Sequence, residues 1–135
     1  MELDPEVRSF LTDKLRWGVL ATINPDGSVQ QSVMEFDFEG DQILMNTKRG
    51  RVKDRNLLAD NRLSLCFEDG ERYVAIQGRA ELIDDVARAQ ADVYRLALKY
   101  QGEQGARESM NRQFSHEERI TILVTIDRIS VYGFA

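Results

Sequence analysis

The chain has one cysteine, Cys66, one histidine, His116, one tryptophan, Trp17, and only two prolines. A lone cysteine excludes an internal disulfide, and a reducing cytoplasm is the expected compartment. One cysteine and one histidine also leave no Cys/His cluster for zinc. No apolar run approaches the ~18–20 residues that span a bilayer, so no membrane association is expected. The opening "MELDPEVRSF" is acidic and polar, which does not match a signal peptide. Positive charge is scarce as well: 18 Lys and Arg against 23 Asp and Glu give a net charge of −5. General nucleic-acid binding needs a basic face, so it is not expected. No repeat, low-complexity tract or linker divides the 135 residues, which read as one domain, 1–135.

What is present is ordered by periodicity. Asp4 before Pro5 is a helix start, and Val7, Phe10, Leu11 and Leu15 predict an amphipathic helix over 5–15. "WGVLATI" is a strand, "NPDG" a turn, and 28–38 a second strand with Met34, Phe36 and Phe38 on one face. "QILMNT" makes the next strand, 51–60 a short helix, and "RLSLCFE" and "YVAIQGRAELI" a hairpin around "DGER". Gly78 inside the last of these predicts a bulge or a close backbone approach. Residues 84–100 follow helical spacing through Val86, Ala89, Val93, Leu96 and Tyr100. "QGEQGARES" reads as a loop, 111–118 as a further helical turn, and "RITILVTIDRISVYGF" as a long final strand. The fold class is therefore mainly β: about six antiparallel strands in a small closed barrel with peripheral helices.

The scarce positive charge is concentrated. "NTKRGRVKDRNLLAD" carries Lys48, Arg49, Arg51, Lys53 and Arg55 where a strand becomes a helix. Such a run is ordinarily a solvated face. Here, however, cations in a first helical turn oppose the macrodipole by roughly 0.3–1 kcal/mol each. Arg51 and Arg55 also form an i,i+4 like-charge pair, which Asp54 only partly offsets. A bound phosphate reverses the sign of each of these terms, and Gly50 allows a close backbone approach. The run lacks GxxxxGK[ST], so phosphoryl transfer is not favoured.

"GVLATINPDGSVQQSVMEF", "ILMNTKRGRVKDRNLLADNRLSLCF" and "YVAIQGRAEL" together resemble the pyridoxamine 5′-phosphate oxidase-like split β-barrels. The likeness runs from Leu15 to "ISVYGF" and is greatest to the branch that binds the deazaflavin coenzyme F420. The resemblance implies a six-stranded split barrel and a homodimer with two cofactor sites at the subunit interface. It implies that Arg51 and Lys53 grip the cofactor phosphate and that Asn46 and Thr47 line the ribityl-phosphate end. Ser32, Val33 and Met34 match the strand that meets the ring edge, and Tyr73 matches a residue reaching in from the partner subunit. F420 is the expected cofactor and FMN the alternative. Lys48, Arg49 and Arg55 are extra cations suited to the longer anionic tail of F420. The chain ends at "VYGFA" without the Arg and His pattern that holds the vitamin substrate in true pyridoxamine phosphate oxidases.

The other polar residues offer no rival chemistry. His116 reads as a surface residue behind Ser115, which with Glu118 resembles a capping box; acid–base work is the rarer role. Cys66 reads as a small buried hydrophobe and Trp17 as a residue of the barrel rim. Tyr132 fits two roles, capping the barrel or approaching the site. Asp84, Asp85 and the Glu35/Asp37 pair read as solvated strand ends rather than metal ligands. With no nucleophile, base or metal in evidence, the chemistry is expected on the cofactor. The expected function is an F420- or FMN-dependent oxidoreductase that passes a hydride between the cofactor ring and a small unsaturated substrate. The alternative is a flavin or haem carrier on the same barrel.

Overall fold

The structure, a computed structural model, describes residues 1–134. Helix α1 (Pro5–Thr12) starts where the Asp4 carboxylate accepts from the Glu6 N–H at 2.9 Å, and it buries Val7, Phe10 and Leu11. It stops short of residue 15 because Arg16 folds back on it. The Arg16 Nε donates to the Phe10 carbonyl at 2.6 Å and its Nη2 meets Asp13 at 3.0 Å. This closes the last turn and leaves Leu15 exposed.

The strands are β1 (Gly18–Ile23), β2 (Val29–Met34), β3 (Asp37–Glu39), β4 (Gln42–Lys48), β5 (Arg62–Glu68), β6 (Tyr73–Ile83) and β7 (Arg119–Tyr132). They form one sheet of seven strands in the order β2-β1-β5-β6-β7-β4-β3, with every neighbouring pair antiparallel. The seventh strand arises because the segment over 28–38 breaks at Glu35–Phe36. Both main-chain groups of Phe36 are taken by side chains: its N–H donates to Tyr100 Oη at 3.1 Å, and Lys99 Nζ donates to its carbonyl at 2.6 Å. A residue so engaged is unavailable to a strand ladder. The barrel is split rather than closed, since β2 and β3 end the hydrogen-bonded order. The split-barrel fold itself is the expected one.

Alternation sorts the strands as the sequence reading required. Leu63, Leu65, Phe67, Val74 and Ile76 are buried together with Phe10, Phe36 and Met45 in one core. At Gly78 the β6–β7 register slips; a Cβ there would strike the Thr125 carbonyl and lie 2.9 Å from Val124 Cγ1.

Helix α2 (Val52–Ala59) packs on β1 and β6. Asn56 Nδ2 docks it by donating to Thr22 Oγ1 at 3.1 Å and Asn24 Oδ1 at 2.8 Å. Helix α3 (Val86–Arg112) crosses β4 and β7 and includes 101–109, which read as a loop. Only Gly102 leaves helical geometry, at φ 79° and ψ 176°, after which the helix resumes. Ser109 Oγ spans the kink to Gln101 Oε1 at 2.7 Å, and Ala106 is fully buried. Val86 is exposed at the start of α3, whereas Ala89, Val93 and Leu96 are buried as expected. A 3-10 turn at Phe114–His116 leads into β7.

Candidate functional site

The end of β4, the start of α2 and the start of β7 meet beneath α3, and a cavity of about 260 Å³ opens among them. Strand pairing assembles it: Lys48 lies opposite Arg119 and Asn46 opposite Thr121 in the β4–β7 ladder. Of the residues the sequence singled out, Val33, Met34, Asn46, Thr47, Lys48, Arg51 and Lys53 line this cavity. Ser32 and Tyr73 do not. Ser32 Oγ is buried beside β1 with no hydrogen-bond partner. Tyr73 begins β6, where its ring stacks on Tyr132 at 5.6 Å and an interplanar angle of 10°. Both rings are on the surface, so Tyr132 neither caps the barrel nor reaches the cavity of its own chain.

The cationic run divides in space. Lys48, Arg51 and Lys53 face the cavity. Arg49 turns to the other side, where its guanidinium is hydrogen-bonded to Asp84 and its Nε lies 2.9 Å from Glu118. Arg55 is exposed and outside the lining. Two of the three cations expected to meet an anionic tail are therefore elsewhere. Arg119 takes their place, a residue that sequence reasoning missed because it enters only through the β4–β7 register. Its Nε donates to Asn46 Oδ1 at 2.9 Å and its Nη1 to Glu117 at 2.7 Å, and its guanidinium lies 4.8 Å from the Phe114 ring centroid. Asn46 is held in turn by donating to the Ala89 carbonyl at 2.9 Å.

Electrostatically the set is crowded: Lys53 and Arg119 are partly buried, while Lys48 and Arg51 reach solvent. Burial lowers the Lys53 ammonium from its ordinary value, and the neighbouring Arg51 charge lowers it further. Burial also lowers Arg119, although the Glu117 hydrogen bond opposes this and the Arg51 charge adds to it. Among the described residues neither Arg51 nor Lys53 has a carboxylate within 4.0 Å. Asp54, in the first turn of α2, accepts the Gly50 N–H at 2.9 Å through Oδ2, while its Oδ1 is buried and unpartnered. The Gly50 N–H is therefore already engaged within the chain.

Glu35 is the second lining residue the sequence misplaced. It read as half of a solvated pair with Asp37, but the strand break turns it into the cavity while Asp37 pairs with Arg95 at 3.2 Å and Lys99 at 3.8 Å. Burial raises the Glu35 carboxyl above its usual range, against the pull of Lys99 and Arg119. Val93, Leu96 and Phe114 supply apolar wall; the helical spacing had already marked the first two as an inward face.

The remaining candidates fall away from the cavity. His116 is exposed with Nε2 at 2.8 Å from the Asn111 carbonyl, and Ser115 donates to the Met110 carbonyl at 2.6 Å instead of forming a capping box. The 3-10 turn ends the helix there and leaves no helical start to cap. Cys66 points outward on β5 and is half-buried rather than core. Trp17 packs against Tyr100 at 5.3 Å, just before β1. Asp84 pairs with Arg49, and Asp85 caps α3 by accepting the Arg88 N–H at 3.0 Å. Among the described residues no group of three His, Cys, Asp or Glu side chains gathers as a metal site. None of their helices is long and apolar enough to cross a membrane.

Residues 3–130 match the sequence family of pyridoxamine 5′-phosphate oxidase. Among solved structures, the chain is similar to the conserved hypothetical protein Rv2991 from Mycobacterium tuberculosis. The TM-score is 0.80 at 24% identity, over 98% of this chain and 86% of that one. An F420 reductase matches with TM-score 0.72 at 24% identity, over 90% of this chain and 94% of that one. A putative pyridoxamine 5′-phosphate oxidase from Listeria innocua matches with TM-score 0.73 at 15% identity, over 98% and 100%. At these identities the structural likenesses speak for the fold.

Proposed function

The chain belongs to the pyridoxamine 5′-phosphate oxidase family, and from that footing we propose that it is an oxidoreductase that uses coenzyme F420. The observation that carries this reading is the cavity's cluster of positive charge, partly buried at Lys53 and Arg119, with Arg51 and Lys53 unmatched by any described carboxylate. In this reading Arg51 and Lys53 hold the cofactor phosphate, with Arg119 and Lys48 beside them for further negative charge. Asn46 and Thr47 line the linker to the ring, and Val33 and Met34 meet the ring edge. When bound, the deazaflavin ring supplies two-electron hydride chemistry toward a small unsaturated substrate. The chain's own part is to anchor the charged end, to orient the ring and to exclude water with Val93, Leu96 and Phe114.

Size argues for a shared site. A cavity near 260 Å³ is below the ~300–1,000 Å³ usual for such ligands, and Val33 at its rim is 68% exposed. Val33 continues across the outer sheet face through Val19, Cys66 and Ala75, a row of apolar or small side chains without a charge. We infer that a second copy covers this face and completes the site, with its Tyr73 reaching the ring. Sedimentation is expected to give a dimer, and Val19→Glu, which sets a charge in that row, a monomer. A monomeric parent that binds cofactor at full affinity would remove the shared site.

Titration of F420 and FMN, followed by fluorescence, tests the cofactor. F420 is expected to bind tightly and with a marked salt dependence, FMN more weakly. One observation favours FMN as the second reading: Arg49, committed to Asp84 and Glu118, is not free to meet a longer anionic tail. Tighter FMN binding would select it, and binding of neither would overturn the enzyme reading. A cofactor that binds but is neither reduced nor reoxidised by any substrate would mark a carrier.

A further inference from the structure

Among the described residues Glu35 is the only carboxylate that lines the cavity. Burial and two nearby charges, not hydrogen bonds, set its environment. Its place is fixed from behind, because Tyr100 and Lys99 hold both main-chain groups of Phe36 and so maintain the bend between β2 and β3. Met34 and Phe36 on either side of it are buried in the core. A half-buried carboxylate thus stands in one cavity with Lys48, Arg51, Lys53 and Arg119.

We propose that Glu35 is the proton-carrying residue of this cavity: an anion held by Arg51, Lys53 and Arg119 draws a proton onto its carboxylate, leaving a neutral acid that donates a hydrogen bond. This rests on the reading of the cavity as an anion-binding cofactor site. Two opposed influences act on Glu35 in the free protein. Poor hydration favours the neutral acid, while Arg119 from β7 and Lys99 from α3 favour the carboxylate. Lys48, Arg51 and Lys53 line the same cavity, and Arg119 is the lining cation whose charge acts on Glu35. Tyr100, pushed up to about 12 chiefly by burial, stays uncharged, and Asp37, tied to Arg95 and Lys99, weakens the pull of Lys99. An anion on the cations cancels the favourable field, displaces water and adds a like charge. All three effects point the same way, toward protonation.

Linkage makes the coupling reciprocal. If the anion raises the Glu35 titration by roughly one pH unit, it binds about tenfold tighter to the protein whose Glu35 is protonated. The probe is sulfate, which keeps its charge through the acid range and contributes no proton of its own. The titration of Glu35 is read by NMR on protein labelled in the glutamate carboxyl carbons, with Glu35→Gln identifying the resonance. The expected result is a Glu35 midpoint that rises by roughly one unit with saturating sulfate. Calorimetry in buffers of different ionisation enthalpy should show acid-side proton uptake with F420 or FMN in the parent, and less in Glu35→Gln. The difference between the two proteins isolates the uptake that depends on Glu35 from any proton carried by the ligand itself. A Glu35 midpoint unmoved by sulfate overturns the proposal, whichever cofactor binds. A midpoint that moves with sulfate while neither F420 nor FMN binds supports it and removes only the cofactor assignment.

Discussion

Arg49 and Lys53 stand four residues apart in one run of cations, yet they meet opposite surroundings. Arg49 is half-exposed and matched by Asp84 and Glu118, whose hydrogen bonds, Asp84 first, raise its already high value. Lys53 is half-buried, beside Arg51, and shifted the other way. One charge is held by the fold and the other is held against it. The difference shows that a dense stretch of positive sequence is not one surface. What distinguishes its cavity-facing members is whether the fold supplies an anion: Lys48 lies 3.9 Å from Glu117, whereas Arg51 and Lys53 have no described carboxylate within 4.0 Å.

The largest effect expected of this contrast is on binding. Lys53→Ala should weaken F420 or FMN binding by roughly ten- to a hundredfold, the loss of a charge-assisted contact of about 1.5–3 kcal/mol. Lys14→Ala removes the same type of charge from the exposed loop after α1 and should leave the titration unchanged. Equal losses in the two variants would make the attraction a matter of net charge. No loss in Lys53→Ala would return the run to a solvated face.

Stability should move in the opposite sense. The folded-state value of Lys53 is lowered, so its charge opposes folding in full below that value, and the penalty fades as pH climbs from it to the ordinary lysine value. Lys53→Met should therefore raise the melting temperature of the ligand-free protein near neutrality, and the gain should fade in alkali. Glu35 gives the mirror image, because its folded-state value is raised. Glu35→Gln should raise stability near neutrality, where the ionised carboxylate is disfavoured, with the gain vanishing in acid where both side chains are neutral. Melting curves across pH test both, and a gain with the wrong pH dependence would mean the electrostatic account is wrong.

The same contrast measures what the sequence could disclose. Period-two alternation exposed the strands, and cap and turn chemistry placed Asp4, the Asn24–Gly27 turn and the Gly78 bulge. These are local signals, read within a few residues. Seven residues that line the cavity are singled out by the sequence, Lys48, Arg51 and Lys53 by the density of charge and Val33, Met34, Asn46 and Thr47 through the family resemblance alone. What escaped depends on distant partners. Arg119 enters through its pairing with Lys48, and Glu35 through a strand break made by Lys99 and Tyr100 of α3. The continuation of α3 past Gly102 hid behind two glycines in a polar stretch, since the buried face there rests on the small residues Ala106 and Ser109.

Arg49 offers the smallest effect and the sharpest control. Its ion pairs sit in solvent on the side of the barrel away from the cavity, where screening and side-chain entropy leave little net gain. Arg49→Ala should accordingly lower the melting temperature slightly at low salt and not measurably at high salt. It should leave cofactor affinity unchanged, although Arg49 and Lys53 each lie two residues from Arg51 in sequence. The measurement is a pair of melting curves at two ionic strengths beside one binding titration. A loss of affinity comparable to that of Lys53→Ala would mean that the whole run acts as one field on the ligand. The division between a charge the fold neutralises and a charge it leaves for a ligand would then be lost.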